Sequence, residues 1–527
     1  MTLRLACLLP WALGCFSGAP SLIISLIIDD LGRADLGFTG SRISTPNLDR
    51  FREEGVALSS HYAQPICTPT RAAFLTGRYP LLLGLQGKET VQQGCSWGLD
   101  VDEQTFASAF QRAGWDTHMV GKVHLGADYW RRTPTFRGFN SFVGYYYGAE
   151  DYYTHKLAQG YDLRNDSRPS CGPGCSRAIA LDFNGTYSSE LFGAEVSRLI
   201  AKSSGRPTYI HFTPQSVHAP NEAPAAAIAP YKPIFGPNNT IRAIHAGALV
   251  ALDDSIGVVF DAIKAAGLES STLLFVQADN GGPMGPTGDG TMASNFPHRG
   301  GKHSLLEGGV NVVAFAWGPA WLGVGVNRTW SGLSHVTDVG LTLLEAGGVA
   351  PLAPLPGRPV SGHSFWRAIT IGANESLREE VIINIDYTSP SQAAIVVPQN
   401  GTRRWKLVLG ALGYTADESD AFTLWSDWNG KFEAPQPGPP SPAFPLTPQP
   451  VHAIWPLPDM TPTLFDLASD PRETTNLSST FPDIVDALTA RLAVWGRQAV
   501  DVVENGTADP RSAPSNFNGS WTPWLGL

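Results

Sequence analysis

Side chains able to do chemistry on an anion are concentrated in a few short stretches. Cys67-Thr68-Pro69-Thr70-Arg71 sets a thiol four residues before a guanidinium. Pro69 fixes its own φ and biases Thr68 towards extended or turn backbone. Ala72-Ala73-Phe74-Leu75 reads as a helix start, whose first N–H groups would face an anion together with Arg71. On these residues alone Cys67 is either a reactive centre or a buried structural cysteine. Asp29-Asp30 and Asp279-Asn280 each end an apolar run. Adjacent carboxylates repel, so oxygen donors paired in this way call for a cation. The plainer reading of the first pair is a helix cap beside a solvated neighbour. Lys122 and His124, two apart at the end of a predicted strand, project to one side, either as a functional pair or as surface decoration. His218 lies in the Pro-bounded loop Pro214-Gln215-Ser216-Val217-His218-Ala219-Pro220, as a ligand contact or as an idle surface histidine.

Those groups need rigid carriers. Residues 21–28, Ser-Leu-Ile-Ile-Ser-Leu-Ile-Ile, read as a strand buried on both faces. Asp29 follows it, where open α/β sheets place their sites. Residues 271–278 repeat the arrangement before Asp279, with Gly281 and Gly282 permitting close backbone approach. Strands over 115–120 and 208–213 lead to Lys122 and to the His218 loop. A helix is expected from Pro46 with Thr45 as its cap, others over 103–113, over 244–266 and from His335, and a strand over 310–317. Asp253-Asp254 read as solvated or capping charges. Beyond about Gly372 the pattern changes: 381–385, 393–397 and 404–409 read as antiparallel strands, 434–462 as a long Pro-rich irregular stretch, and 481–495 as a closing helix.

The chain has 527 residues, of which 43% are hydrophobic and 16% charged, enough for a large core in two domains. A net charge of −10 without a basic run argues against nucleic-acid binding, so an anionic substrate would need a locally basic pocket. Residues 1–19 have the pattern of a secretory signal peptide: Arg4, an apolar run, then small residues. Pro10, Gly14, Gly18 and Pro20 interrupt the stretch that continues to Ile28, so export is expected and not a membrane span. Asn-x-Ser/Thr sequons at Asn165, Asn184, Asn238, Asn327, Asn374, Asn400, Asn476, Asn505 and Asn518 fit a glycosylated surface. With Cys7 and Cys15 lost in the signal, Cys171 and Cys175 can pair in their Gly-Pro-rich loop. A Cys67–Cys95 disulfide is then the alternative to a reactive Cys67.

Cys67-x-Pro69-x-Arg71 followed by Leu75-Thr76-Gly77-Arg78 closely resembles the signature of the type I sulfatases. The resemblance extends to Asp29-Asp30, Gly121-Lys122-Val123-His124-Leu125-Gly126, His218, Asp279-Asn280, Arg299-Gly300-Gly301-Lys302 with Glu307-Gly308-Gly309, and Leu464-Phe465-Asp466-Leu467, nearly the whole chain after the signal. Gly40 to Pro46, Glu150 to His155 and Trp521-Thr522-Pro523-Trp524 bring it near the arylsulfatase B, or N-acetylgalactosamine-4-sulfatase, group. It implies an alkaline-phosphatase-like α/β fold. A large mixed sheet between helices would occupy 20–372, and a smaller antiparallel sheet with a helix 373–527. It also implies hydrolysis of sulfate monoesters, on a sulfated sugar or glycan, by a protein of the secretory pathway that is secreted or held in a lysosome-like compartment.

By the same resemblance, the formylglycine-generating enzyme would oxidise Cys67 to 3-oxoalanine (formylglycine), an aldehyde whose hydrate is the nucleophile. One Ca2+ would be held by Asp29, Asp30, residue 67, Asp279 and Asn280. Lys122, Lys302 and Arg71 would supply positive charge to the sulfate, with Arg71 also supporting the hydrate. Asp279 would act as base, His218 or Lys302 would protonate the leaving alcohol, and His124 would assist sulfate release. Relatives that share the motif suggest a phosphonate or phosphodiester hydrolase as the alternative. A glycan-binding pseudo-enzyme would need a broken constellation, and every expected polar position is filled here. The departures are Val123 for a tryptophan, Arg33 for an aromatic residue, and Cys95. The corresponding position in arylsulfatase B-like proteins is disulfide-bonded towards the C-terminus, yet no cysteine follows Cys175.

Overall fold

A computed structural model describes residues 18–526 other than 88–89, 168–182, 204, 237–238, 286–289, 354, 356–358, 374–375, 389–391, 400–402, 414–459 and 505. Most of the expected signal peptide, the Cys171–Cys175 pairing, the Pro-rich stretch as far as 459 and the sequons at 238, 374, 400 and 505 lie outside these residues. In chain order the strands of the first part are β1 (Leu22–Ile28), β2 (Val56–Leu58), β3 (His61–Tyr62), β4 (Asp116–Lys122), β5 (Ser141–Tyr145), β6 (Lys156–Leu157), β7 (Gly160–Tyr161), β8 (Arg164–Ser167), β9 (Thr208–Thr213), β10 (Thr272–Ala278), β11 (Ala314–Trp317), β12 (Arg328–Trp330) and β13 (Ser334–His335). Nine of them form a mixed sheet in the order β12-β2-β11-β10-β1-β9-β4-β5-β8. The central run β10-β1-β9-β4-β5 is parallel, and antiparallel pairs flank it.

Side-chain alternation along β1 explains why a wholly apolar strand is stable there. Leu22, Ile24, Leu26 and Ile28 enter the core on one face of the sheet, Ile23 and Ile27 that on the other. Ser25, the polar residue in the run, is satisfied by Tyr209 Oη at 2.9 Å and His211 Nδ1 at 2.8 Å. The first face is covered by helices α1 (Pro46–Glu53), α4 (Ser188–Lys202) and α5 (Thr240–Ala265); the second by α2 (Cys67–Thr76), α3 (Phe106–Arg112) and α6 (Val336–Ala346). Among the described residues α5 alone has the length and hydropathy of a membrane span. Most of its apolar residues, including Leu249, Leu252 and Ile256, are buried in the core beside β1.

Three local expectations change. α2 begins at Cys67 and not at Ala72, because Ile66 is extended and Pro69 falls within the first turn, where its missing N–H costs no intrahelical bond. Thr45 precedes α1 but does not cap it with its side chain. The buried Asp253 carboxylate, reaching across from α5, accepts the Asn47 and Leu48 N–H groups at 3.0 and 2.8 Å. Asp253 is therefore a cap supplied by another helix, while Asp254 is exposed. Residues 307–310 form a helical turn (Glu307–Val310), so the strand expected over 310–317 starts only at Ala314.

A second sheet, β14-β15-β16-β17, consists of Val381–Asp386, Gln392–Gln399, Arg403–Gly410 and Pro462–Asp466, all antiparallel. Helix α7 (Pro482–Gly496) closes one face, with Leu488 and Leu492 packed against Ile382, Ile385 and Leu407. The other face puts Val381, Val396 and Val408 against Tyr62, Leu306 and Val310 of the first part. Lys406, fully buried, bridges Glu307 and Glu473 at 2.9 Å each. Glu307 is thereby tied to the junction between the sheets.

Candidate active site

The parallel order brings four strand ends together. Ile28 and Ala278 are register partners, so Asp29 and Asp279 emerge side by side. Asp30 adopts φ 59°, and its N–H donates to Asp279 Oδ1 at 3.1 Å. Gly281 is where the backbone must come close: a Cβ there would lie 1.7 Å from the carbonyl oxygen of Gly308. Lys122 ends β4 and donates to Asp29 Oδ2 at 2.7 Å, fully buried. Arg71, on the first turns of α2, donates to Asp279 Oδ2 at 2.8 Å and lies 3.4 Å from Asp29 Oδ1. Lys302 donates to Asp30 Oδ2 at 2.8 Å and faces His218 Nε2 at 3.2 Å. Cys67 Sγ is 3.7 Å from Asp29 Oδ1. It keeps a free thiol, so it is not joined to Cys95.

Electrostatics separates the roles of these groups. Burial raises the Asp29 carboxyl, but the Lys122 and Arg71 charges outweigh it and hold the group below the ordinary range. Burial and the neighbouring Asp29 push Asp279 up. Burial holds the Cys67 thiol well above its usual value. Burial, with Lys302 and Lys122 nearby, lowers His218; burial, with Lys122 and Arg71, lowers His124 strongly. Both imidazoles are accordingly neutral at pH 7. His218 Nδ1 lies 2.6 Å from the Ala219 carbonyl, so it carries the proton and Nε2 accepts from Lys302. His124 Nε2 likewise donates to the Val91 carbonyl at 3.1 Å, leaving a buried, unpartnered Nδ1. Gly148 lies over the His124 ring, where a Cβ would come within 2.9 Å of Cε1.

A cavity of about 210 Å³ opens over Cys67, His124, His218 and Lys302. Asp29, Asp30, Arg71, Asp279 and Asn280 lie buried behind them. All the site residues expected from the sequence therefore converge on one place. The sequence reading missed the rest of the lining, which comes from 90–93, Gly148, Ala149, Leu157 and His303. His303 was detectable as the neighbour of Lys302. The 90–93 stretch carries no periodic or motif signal.

The donor set fits a hard cation. Asp29, Asp30, Cys67 and His218 place potential ligand atoms within 4.8 Å of one another. Asn280 Nδ2 donates to Asp30 Oδ1 at 2.7 Å, while Asn280 Oδ1 is buried without a hydrogen-bond partner. A buried, unsatisfied carbonyl-type oxygen among carboxylates is the kind of ligand calcium takes. Asp279 lies beside this group, its two oxygens bonded to the Asp30 N–H and to Arg71.

The profile of the family described as Sulfatase matches residues 21–349. Arylsulfatase J of Mus musculus is 33% identical, over 95% of this chain and 80% of that protein. N-acetylgalactosamine-6-sulfatase of Rattus norvegicus is 29% identical over 63% of each. The crystal structure of Ps i-CgsB in complex with k-i-k-neocarrahexaose superposes with a TM-score of 0.71 at 22% identity, covering 93% of this chain and 95% of that one, and shares its fold.

Proposed function

Because this chain belongs to the sulfatase family and is a sulfuric ester hydrolase, we propose that it cleaves the sulfate monoester of a sulfated sugar or glycan, with residue 67 as formylglycine and one Ca2+ in the site. The observation that carries this reading is the arrangement around Cys67. Three carboxylates (Asp29, Asp30, Asp279) face three cations (Arg71, Lys122, Lys302) at the base of a cavity, so a divalent cation would leave the site net positive towards an anionic ester. When bound, calcium neutralises charge on the sulfate and polarises its oxygens, and the formylglycine hydrate supplies a hydroxyl nucleophile. Asp29, Asp30, Asp279 and Asn280 would hold the ion.

The chain's own residues then divide the remaining work. Lys122 and Lys302 bind sulfate oxygens. Lys122, paired directly with Asp29, holds that carboxylate ionised, so that Asp279, the higher of the two, accepts a proton on the nucleophile side. Lys302 and His218 Nε2, 3.2 Å apart, form a proton store for the leaving alcohol. His124 Nδ1, unpartnered and neutral, is the acceptor that assists sulfate release. We assign the catalytic unit to 20–372 and the smaller unit to 373–527. The protein would travel the secretory pathway, where the formylglycine-generating enzyme acts. Asn165, Asn184, Asn327, Asn476 and Asn518, all exposed, support that route.

The test is the mass of the tryptic peptide containing Cys67, from protein secreted by cells, with parallel assays on an aryl sulfate, a sulfated monosaccharide and a phosphonate monoester. Loss of the thiol with gain of an aldehyde, and preferential sulfate hydrolysis, are expected. An unmodified cysteine with no hydrolysis would leave a binding protein. Preferential phosphonate cleavage would move the substrate class.

A further inference from the structure

Cys67, His124, His218 and Lys302 make only part of the cavity lining. The rest comes from Thr90 to Gln93, Gly148, Ala149, Leu157 and His303. Neither the 90–93 stretch nor the carrier of Leu157 is self-supporting. Residues 90–93 have no regular structure, and Leu157 sits on a hairpin of two-residue strands, β6 and β7, that belongs to neither large sheet. Isolated hairpins of that size do not hold their shape in water.

The same C-terminal segment grips both. Cys95 and Ala508 form an antiparallel bridge, and Asp509 N–H donates to the Gly94 carbonyl at 2.8 Å. Further on, Trp521 N–H donates to the Tyr161 carbonyl, Tyr161 N–H to the Gly519 carbonyl, and the Trp521 indole N–H to the Leu157 carbonyl, each at 2.9 Å. Trp521 is buried and packs edge-on against Tyr147 with ring centres 5.8 Å apart. A Cβ on Gly160 would strike its Nε1 at 2.7 Å, so hairpin and indole are in direct contact. A buried indole whose N–H is satisfied by the backbone it supports is a rigid prop.

We propose that the segment 508–521 builds the leaving-group wall of the active site, with Trp521 as the positioning residue that sets Leu157. The occupant it would select is one pyranose ring, its hydroxyls towards the Gln92 and Gln93 amides and its apolar face on Leu157. The cavity of about 210 Å³ is below the roughly 300 Å³ at which drug-sized sites begin. This inference rests on the hydrolase reading for the identity of the occupant, while the positioning itself does not.

The experiment uses the full secreted chain with Trp521→Ala and, as the conservative variant, Trp521→Phe. Hydrogen exchange is followed over 156–161 and 90–95. Steady-state kinetics use a sulfated monosaccharide, with inorganic sulfate as an inhibitor that needs only the polar side of the cavity. Faster exchange over 156–161 is expected, together with a KM raised about tenfold, kcat changed less than about twofold and an unaltered sulfate inhibition constant. Trp521→Phe should fall between wild type and Trp521→Ala, and it decides the matter if Trp521→Ala does not fold. Unchanged exchange over 156–161, or an equal loss of kcat and of sulfate inhibition, overturns the proposal. If wild type cleaves no sulfate ester, the function reading fails, and the exchange result alone decides whether Trp521 sets the wall.

Discussion

Cys67 illustrates how burial constrains chemistry at a single residue. Its thiol stays protonated because desolvation raises it, even with Lys122 and Lys302 nearby, so the unmodified sulfur is a weak nucleophile. Its value lies in its place, at the start of a buried helix beside Asp29. Lys122 has a double task. Lys122→Ala should lower kcat/KM by about 100-fold or more and, by leaving Asp29 buried without its closest cation, cost about 3–5 kcal/mol of stability. Urea unfolding alongside kinetics separates the two effects, and equal stability with lost activity would refute the structural half. Asn280 offers a cleaner reading of the metal. Millimolar Ca2+ should raise the Tm of wild type and a chelator should reverse the rise, while Asn280→Ala should weaken or abolish the shift. A wild-type Tm indifferent to Ca2+ would remove the cation from the site.

Elements were legible where one local pattern decided them. The apolar runs of β1 and β10, the first three strands of the second sheet and the closing helix α7 all lie within a few residues of expectation, because strand burial and helix periodicity are written in consecutive residues. Two of the three misreadings share a cause, a partner distant in sequence. Asp253 caps α1 from 206 positions away, and the residues before β11 make only single pairings with β3, such as Tyr62 with Asn311. Asp253→Ala should cost about 1–2 kcal/mol in denaturant unfolding, as the loss of a cap does; an effect within error would mean that Asn47 and Leu48 find other acceptors. Ala508 stands opposite Cys95 in an antiparallel bridge. Bridge partners have Cα atoms about 4.5–5.5 Å apart, within disulfide range. Ala508→Cys should therefore form a bond to Cys95 that a mass shift on reduction detects, and two free thiols after oxidation would refute it.

At the scale of the whole molecule, the sheet is stitched by buried neutral histidines. His211 lies between Phe74 and Phe139, its ring 4.9 and 6.2 Å from theirs, and burial lowers it to about 3. Its folded value is depressed, so below the ordinary value of about 6.5 the unfolded chain binds the extra proton. The stability that His211 contributes is present above that pH and is lost as pH falls towards about 3. The stability advantage of wild type over His211→Gln should therefore shrink by roughly 1.4 kcal/mol per pH unit below about 6.5. A difference that is flat with pH would mean that the imidazole titrates normally.

The amino-acid sequence by itself determined which groups converge on the cavity and which strands carry them. Asp29, Cys67, Lys122, His218, Asp279 and Lys302 are each marked by neighbours a few residues away. Only the tertiary structure decided how these groups pair in charge, that Asn280 Oδ1 is left unsatisfied, and that a C-terminal segment bonds the hairpin carrying Leu157. Those properties depend on distance and solvent exclusion between residues far apart in the chain, which no local pattern encodes.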